Sequence, residues 1–211
     1  MKNLKDIILE HFKYSKFSIY ERLHINKDID SNYYNYHPKT RDELIKIVDK
    51  LIKERGNEAD LNDIDTSEIT DMSRLFYKYK FNGDISNWNV SKVTDMKYMF
   101  ANSRFNGDIS NWDVSNVKTM YSMFGYSKFN GDISNWDVSN VEDMRYMFGY
   151  SKFNGDISNW DVSNVEDMCY MFYGSSFNGD ISNWNVSNVK NMKYMFTGTS
   201  LGKNSPKWYK N

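Results

Sequence analysis

The chain predicts an α/β repeat solenoid. Short parallel strands should line one face and short helices the other, with a helical head and cap at the N-terminal end. Three observations predict it. All six tryptophans fall 24 residues apart, from Trp88 through Trp112, Trp136, Trp160 and Trp184 to Trp208. Phe81, Phe105, Phe129, Phe153 and Phe177 keep the same step, with Leu201 in the sixth place, and so do eleven of the twelve methionines, from Met72 to Met195. A fixed period of roughly 20 to 50 residues marks a repeat architecture, in which each unit buries its apolar face only against its neighbours. The third observation is one clean amphipathic stripe just before the array.

Residues 1–37 form a head. Leu4, Ile7, Ile8 and Phe12 stand at helical spacing, so a short helix over residues 3–13 is expected, with a further turn over residues 19–23. Residues 28–37 are polar and carry Tyr33, Tyr34 and Tyr36, which read as a loop that packs on the array or contacts a partner. Residues 38–56 are the cap. Pro38 opens the segment, Thr40 is a good N-cap with Glu43 three residues on, and Gly56 stops the helix. Leu44, Ile47, Val48, Leu51 and Ile52 make the stripe. A helix over about residues 41–55 should cover the open apolar end of the first unit, as the end of any repeat stack requires.

The array occupies residues 57–211. Its first unit, 57–80, is degenerate and uses Leu61, Ile64, Ile69, Met72, Leu75 and Phe76 at the apolar positions. Five near-identical units fill 81–200, and a truncated unit, 201–211, ends in Trp208 and Tyr209. In the unit that starts at Phe81, apolar residues recur at Ile85, Trp88, Val90, Val93, Met96, Met99 and Phe100. This spacing opens like the leucine-rich pattern L-x-x-L-x-L. It places a short strand near residues 88–91, a short helix over 94–100, and a return turn at Asn82-Gly83.

FNGDISNWDVSNV followed by M-x-x-M-F resembles the BspA-like leucine-rich repeat family, in its 24–25-residue subclass found in bacterial surface proteins and in mycoplasma lipoprotein-associated repeats. The likeness covers about residues 57–208. It implies a right-handed coil that binds a host or partner protein, in a bacterial or phage-encoded setting.

The composition narrows the function. The first 56 residues hold 12 Lys/Arg against 9 Asp/Glu, and the remainder 15 against 19, so neither part has the basic excess of a nucleic-acid binder. The N-terminus has no apolar core of a secretory signal, and no membrane span is evident, so a cytoplasmic protein is expected. Cys169 stands alone, in a column otherwise held by Lys97, Tyr121, Arg145 and Lys193, and reads as an incidental surface thiol. His11, His24 and His37 have no metal-ligand spacing, and the single glycines form no phosphate loop. No cofactor, no metal and no catalytic residue is expected, because equal copies of a carboxylate do not make the asymmetric constellation that catalysis needs.

Binding or scaffolding is left as the expected role, with a protein partner. Two columns are candidate contacts on a concave sheet: Asn87, Asn111, Asn135, Asn159 and Asn183, and beside it Asn89, Asp113, Asp137, Asp161 and Asn185. Tyr33, Tyr34 and Tyr36 of the head are the second candidate. A third column, from Asp84 to Asp180, stacks like charges. Either Ca²⁺ or local turn hydrogen bonds could offset their repulsion, and the turn reading also accommodates Asn at 89 and 185. The residue differences between units fall after the tryptophan, on what the mapping makes the back of the coil. The alternative roles are end-to-end self-assembly and a surface adhesin.

Overall fold

The chain divides into two compact units, Met1–Asn35 and Tyr36–Asn211. The computed structural model describes residues 34–209. The expected head helices and Tyr33 lie outside these residues, and the architecture below is that of the second unit.

One α-helix is present among the described residues, α1, Arg41–Arg55. Its N-terminus is closed by the Thr40 hydroxyl, which accepts from the Glu43 N–H at 3.3 Å, while Glu43 accepts in return from the Lys39 N–H at 2.7 Å. Orphan donors at a helix start are satisfied in this way. Gly56 ends α1 at φ 90°, donating to the Ile52 carbonyl. Leu44, Val48 and Leu51 are buried and join one core with Leu61, Ile64 and Phe76 of the first repeat. Three polar ties fasten the helix there. Arg41 donates to the Ser73 carbonyl at 2.6 Å, the Tyr79 hydroxyl donates to Asp49, and Arg55 forms a two-point pair with Asp63 at 2.9 Å.

The 24-residue units then stack as successive coils. Aromatic rings lie in register along the stack: Phe105, Phe129, Phe153 and Phe177 at 6.3 Å steps, and Phe100, Phe124, Phe148 and Phe172 at 5.7 to 5.8 Å. Phe148 also stacks on Phe153 at 4.3 Å, so the two columns interlock. The rings of Trp88, Trp112, Trp136, Trp160 and Trp184 are buried and that of Trp208 is partly buried; the Nε1–H of each donates to a carbonyl one coil back, as Trp136 does to Ile109 at 3.1 Å.

The backbone path differs from the expected one. There is no sheet. Strand-like pairing is confined to isolated parallel bridges, the array's own being Asp60–Asp84 and the run Asp71–Asp95, Asp95–Thr119, Thr119–Asp143, Asp143–Asp167 and Asp167–Asn191. The α/β solenoid of parallel strands and outer helices is therefore corrected to a stack of turns. The strand expected over 88–91 fails because the Asn89 side chain accepts from the Ser91 N–H at 3.1 Å and bends the chain there. The helix expected over 94–100 fails because its N–H groups are engaged elsewhere. Met96, Tyr98, Phe100 and Asn102 donate to Thr119, Tyr121, Met123 and Gly125 of the next coil, and Met99, Ala101 and Ser103 close three-residue turns on Met96, Tyr98 and Phe100. An amide bonded to the neighbouring coil cannot also bond four residues back. Tyr98, at φ 57°, places a left-handed residue inside the stretch that a helix would need right-handed, and Asn102, also at φ 57°, lies just beyond it.

Asn-Gly is not the return turn either. No positive φ occurs between residues 79 and 97, and glycine is required for space: a Cβ on Gly155 would lie 2.9 Å from the Phe153 ring. The corners are made by aspartate. In the unit that starts at Phe129, the Asp132, Asp137 and Asp143 carboxylates accept from the N–H two residues on, at 2.9, 3.0 and 3.0 Å.

Candidate binding surface

The same left-handed backbone that replaces the expected helix displays a continuous row of tyrosines. Residues 74, 98, 122, 146, 170 and 194 all have positive φ, as do residues 78, 102, 126, 150, 174 and 198. The tyrosines at these two columns are half-buried or exposed, whereas Ser122 is buried. Tyr98, Tyr146, Tyr170 and Tyr194 occupy the first, and Tyr126 and Tyr150 the second.

Their rings touch in sequence. Tyr77 meets Tyr98 at 6.2 Å, Tyr98 meets Tyr121 at 4.8 Å, and Tyr121 meets Tyr146 at 6.4 Å. Tyr146 stacks on Tyr170 at 4.5 Å, and Tyr170 on Tyr194 at 5.0 Å. A branch leaves Tyr170 for Tyr173 at 5.3 Å, passes to Tyr150 at 5.2 Å and stacks Tyr150 on Tyr126 at 4.6 Å. Tyr126, Tyr150 and Tyr194 keep 54%, 44% and 49% of their surface exposed, the large apolar side chains most open to solvent among the described residues.

Cations rim this ladder. Arg74 lies 4.8 Å over the Tyr98 ring and Arg145 4.8 Å over Tyr121. Arg145 is held in place by Asp143, through Nε–Oδ1 at 2.9 Å and Nη2–Oδ2 at 2.7 Å, and this bonded carboxylate raises the guanidinium's pKa. Burial, then the hydrogen bond with Tyr121, pushes the Tyr98 phenol up to about 12. Burial, then the neighbouring Tyr170, pushes Tyr146 to about 12. Tyr98 and Tyr146 therefore stay neutral across the physiological range, and the ladder offers flat apolar faces with hydroxyl tips.

The columns singled out from sequence do line up, though on turns and not on a sheet. Asn111, Asn135, Asn159 and Asn183 are exposed, and Asn87 is half-buried with its N–H on the Asn62 side chain. Asn89, Asp113, Asp137, Asp161 and Asn185 each engage one side-chain oxygen on the N–H two residues on. The hydroxyl and N–H of Ser163 hold the Asp161 carboxyl below its usual range. Tyr34 and Tyr36 are half-buried, and Tyr36 bridges Ile64 with Lys50 5.7 Å over its ring. Cys169 is half-buried within the ladder side, where burial, then Asp167, raises its thiol. Among the described residues no three His, Cys, Asp or Glu side chains gather as a metal cage, and no helix is long and apolar enough to cross a membrane.

Sequence reasoning overlooked the ladder because its columns read as a drifting back surface. The signal was present: tyrosine at 98, 146, 170 and 194, and at 126 and 150, recurs with the 24-residue step.

None of the curated proteins and none of the solved structures matches this chain. The family model described as "Mycoplasma protein of unknown function, DUF285" matches it twice, over residues 46–152 and 125–210. The two overlapping matches take in most of α1 and the coils that carry the tyrosine ladder, and the chain belongs to this DUF285 family.

Proposed function

We propose that the protein is a non-enzymatic recognition module that binds a protein partner across the tyrosine ladder. The observation that carries this reading is the ladder's continuity: ring-to-ring contacts run from Tyr77 to Tyr194 with Arg74 and Arg145 at the margin. Tyrosine and arginine are the residue types enriched at protein contacts, because they bring large area and a polar tip at small entropic cost. Here neighbouring rings already restrict each other, which lowers the ordering cost of binding further. The kinship this reading draws on is with BspA-like repeat proteins, whose FNGDISNWDVSNV motif the chain repeats. A second reading keeps the contact on the Asp113, Asp137 and Asp161 row, since each carboxylate engages only Oδ1 in its turn.

The test compares capture from a native lysate by the wild-type chain, by Tyr126→Ser/Tyr150→Ser/Tyr194→Ser, and by Asp113→Asn/Asp137→Asn/Asp161→Asn, with circular dichroism to verify the fold. A partner lost only by the tyrosine variant supports the ladder. A partner lost only by the asparagine variant moves the contact to the carboxylate row. Binding of glycans in place of any protein overturns the reading.

A further inference from the structure

A different face of the stack carries charges that enter no ion pair among the described residues, although each aspartate there accepts from a serine N–H. It is the extended stretch that follows the ladder in every coil, with Arg104, Asn106 and Asp108 as one example. Exposure alternates along it: Arg104, Asn106 and Asp108 are exposed, Phe105 is buried and Gly107 is half-buried. Such alternation is that of an extended strand with one face outward. Stacked coil on coil, the stretch makes three parallel rows. Lys80, Arg104, Lys128 and Lys152 form a cationic row, Asn82 to Asn178 a neutral one, and Asp84, Asp108, Asp132, Asp156 and Asp180 an anionic one. The buried phenylalanines beneath set the pitch at 6.3 Å per coil.

The central row is rigid. The Asn106 side chain accepts from the Asn130 N–H at 2.7 Å, Asn130 from Asn154 at 2.7 Å, and Asn154 from Asn178 at 2.8 Å. The outer rows are each of one sign. Among the described residues no ion pair includes any cation or aspartate of either row. Elsewhere the chain pairs charges from coil to coil, as in Lys92–Glu68 at 2.7 Å, Lys118–Glu142 at 3.6 Å and Lys190–Glu166 at 2.8 Å. Like charges one coil apart repel, and on this face no such pairing relieves them.

We infer that this face is a self-complementary docking surface for a second copy of the chain. A linear polyanion would meet the cationic row but also the aspartates beside it. A polycation has the reverse difficulty. A second copy satisfies both rows, and it alone has the same pitch by construction. The orientation follows from symmetry. A two-fold axis lying over the asparagine row, parallel to the stacking direction, sets Arg104 against the partner's Asp108 and Asp108 against the partner's Arg104, and repeats this for Lys80 with Asp84, Lys128 with Asp132 and Lys152 with Asp156; Ser176 ends the cationic row, so Asp180 has no counterpart. An axis across the stack would set cation on cation. The two stacks therefore lie side by side and parallel, an isologous pairing in which each coil faces its own copy.

The test is sedimentation of the full chain with salt and charge as variables. Exposed pairs respond to screening, whose length falls from about 30 Å at about 0.01 M salt to about 3 Å at about 1 M. A dimer is expected at low salt, with its dissociation constant raised more than about tenfold at high salt. Arg104→Glu/Lys128→Glu/Lys152→Glu should be monomeric at low salt. Asp108→Asn/Asp132→Asn/Asp156→Asn keeps an acceptor in each turn and should weaken the dimer without unfolding the chain. In a Cys169→Ser background, Asn178→Cys at the far end of the central row should cross-link to its own copy on oxidation. A chain that stays monomeric at low salt overturns the inference, as does a dimer unchanged by both charge variants. Binding of single-stranded oligonucleotide or polyglutamate by the monomer, with no dimer, assigns the cationic row to a polyanion and equally overturns it.

Discussion

Replacing Trp136 by Phe tests the packing of the stack at its centre. The change removes the Nε1–H that reaches 3.1 Å to the Ile109 carbonyl and shrinks a side chain that is 4% exposed. Ile109 is not left orphaned, because its carbonyl also accepts from the Trp112 N–H at 3.2 Å. The lost bond is therefore worth the ordinary net value, about 1 kcal/mol. The smaller ring gives up roughly three methylene-sized groups at about 0.8 kcal/mol each, about 2 kcal/mol. The sum, about 3 kcal/mol, corresponds to a melting temperature lower by roughly 6 to 12 °C in a domain of this size. Trp208 provides the internal control. It makes the same bond, to Ile181 at 3.0 Å, but is only partly buried. Trp208→Phe should cost about 1 kcal/mol, close to the hydrogen bond alone. Urea unfolding followed by far-ultraviolet circular dichroism measures both. Equal losses at the two sites, or a Trp136→Phe loss below about 1 kcal/mol, would refute the reasoning.

Four further outcomes follow from the backbone and the titrating groups. Lys78 is exposed at φ 66°. Lys78→Gly should stabilise by about 0.5 to 1 kcal/mol, the left-handed strain of about 1 to 2 less the extra freedom of an unfolded glycine, whereas Lys78→Val should destabilise, as thermal melts will show. Gly155→Ala should cost about 1 to 3 kcal/mol, since its Cβ would sit 2.9 Å from the Phe153 ring; a neutral effect would mean that the ring moves freely. The N–H and hydroxyl of the following serines hold Asp132, Asp156 and Asp180 below the usual carboxylate range. Their folded pKa is depressed, so their contribution is present above the unfolded value and is lost as pH falls through the folded one; Asn at all three should flatten the acid limb of the stability curve below about pH 4. Tyr98 and Tyr146 are raised to about 12. Their contribution is full below the unfolded value and falls away between about pH 10 and 12, so Phe at both positions should soften alkaline unfolding, and ultraviolet titration of the double variant should lose two late phenols while Tyr79, also raised to about 12, still titrates late.

The register was legible because single residue types mark it. Trp, Phe and Met columns leave no other period, and Leu44, Val48 and Leu51 identify the buried face of α1. The path of each coil was not legible. The spacing of Ile85, Trp88, Val90, Val93, Met96 and Met99 describes inward residues equally for strands and helices or for consecutive turns. What decides is the hydrogen bond from Ser91 to Asn89 and the left-handed backbone at Tyr98. Tyrosine hides such a backbone where glycine would reveal it. Gly174 and Gly198, at φ 61° and 77°, occupy the same column as Tyr126 and Tyr150 and were the available clue. The candidate columns were placed by the same mapping: with the strand misplaced, the aspartates were set on a concave sheet and the tyrosines on a back.

The contact between α1 and the first coil also resolves a degeneracy. Five nearly interchangeable coils can pair with the wrong neighbour, looping out 24 residues, and each such slip closes a loop at similar entropic cost and regains similar ring stacking. The middle of the array cannot tell these registers apart. The first coil can, because Asp63, Ser73 and Tyr79 bind Arg55, Arg41 and Asp49 of α1, and Leu61 and Ala59 take places that a differently branched Ile85 and a smaller Gly83 fill one coil later. Counting of coils thus has an origin, and every later pairing inherits its index from that end.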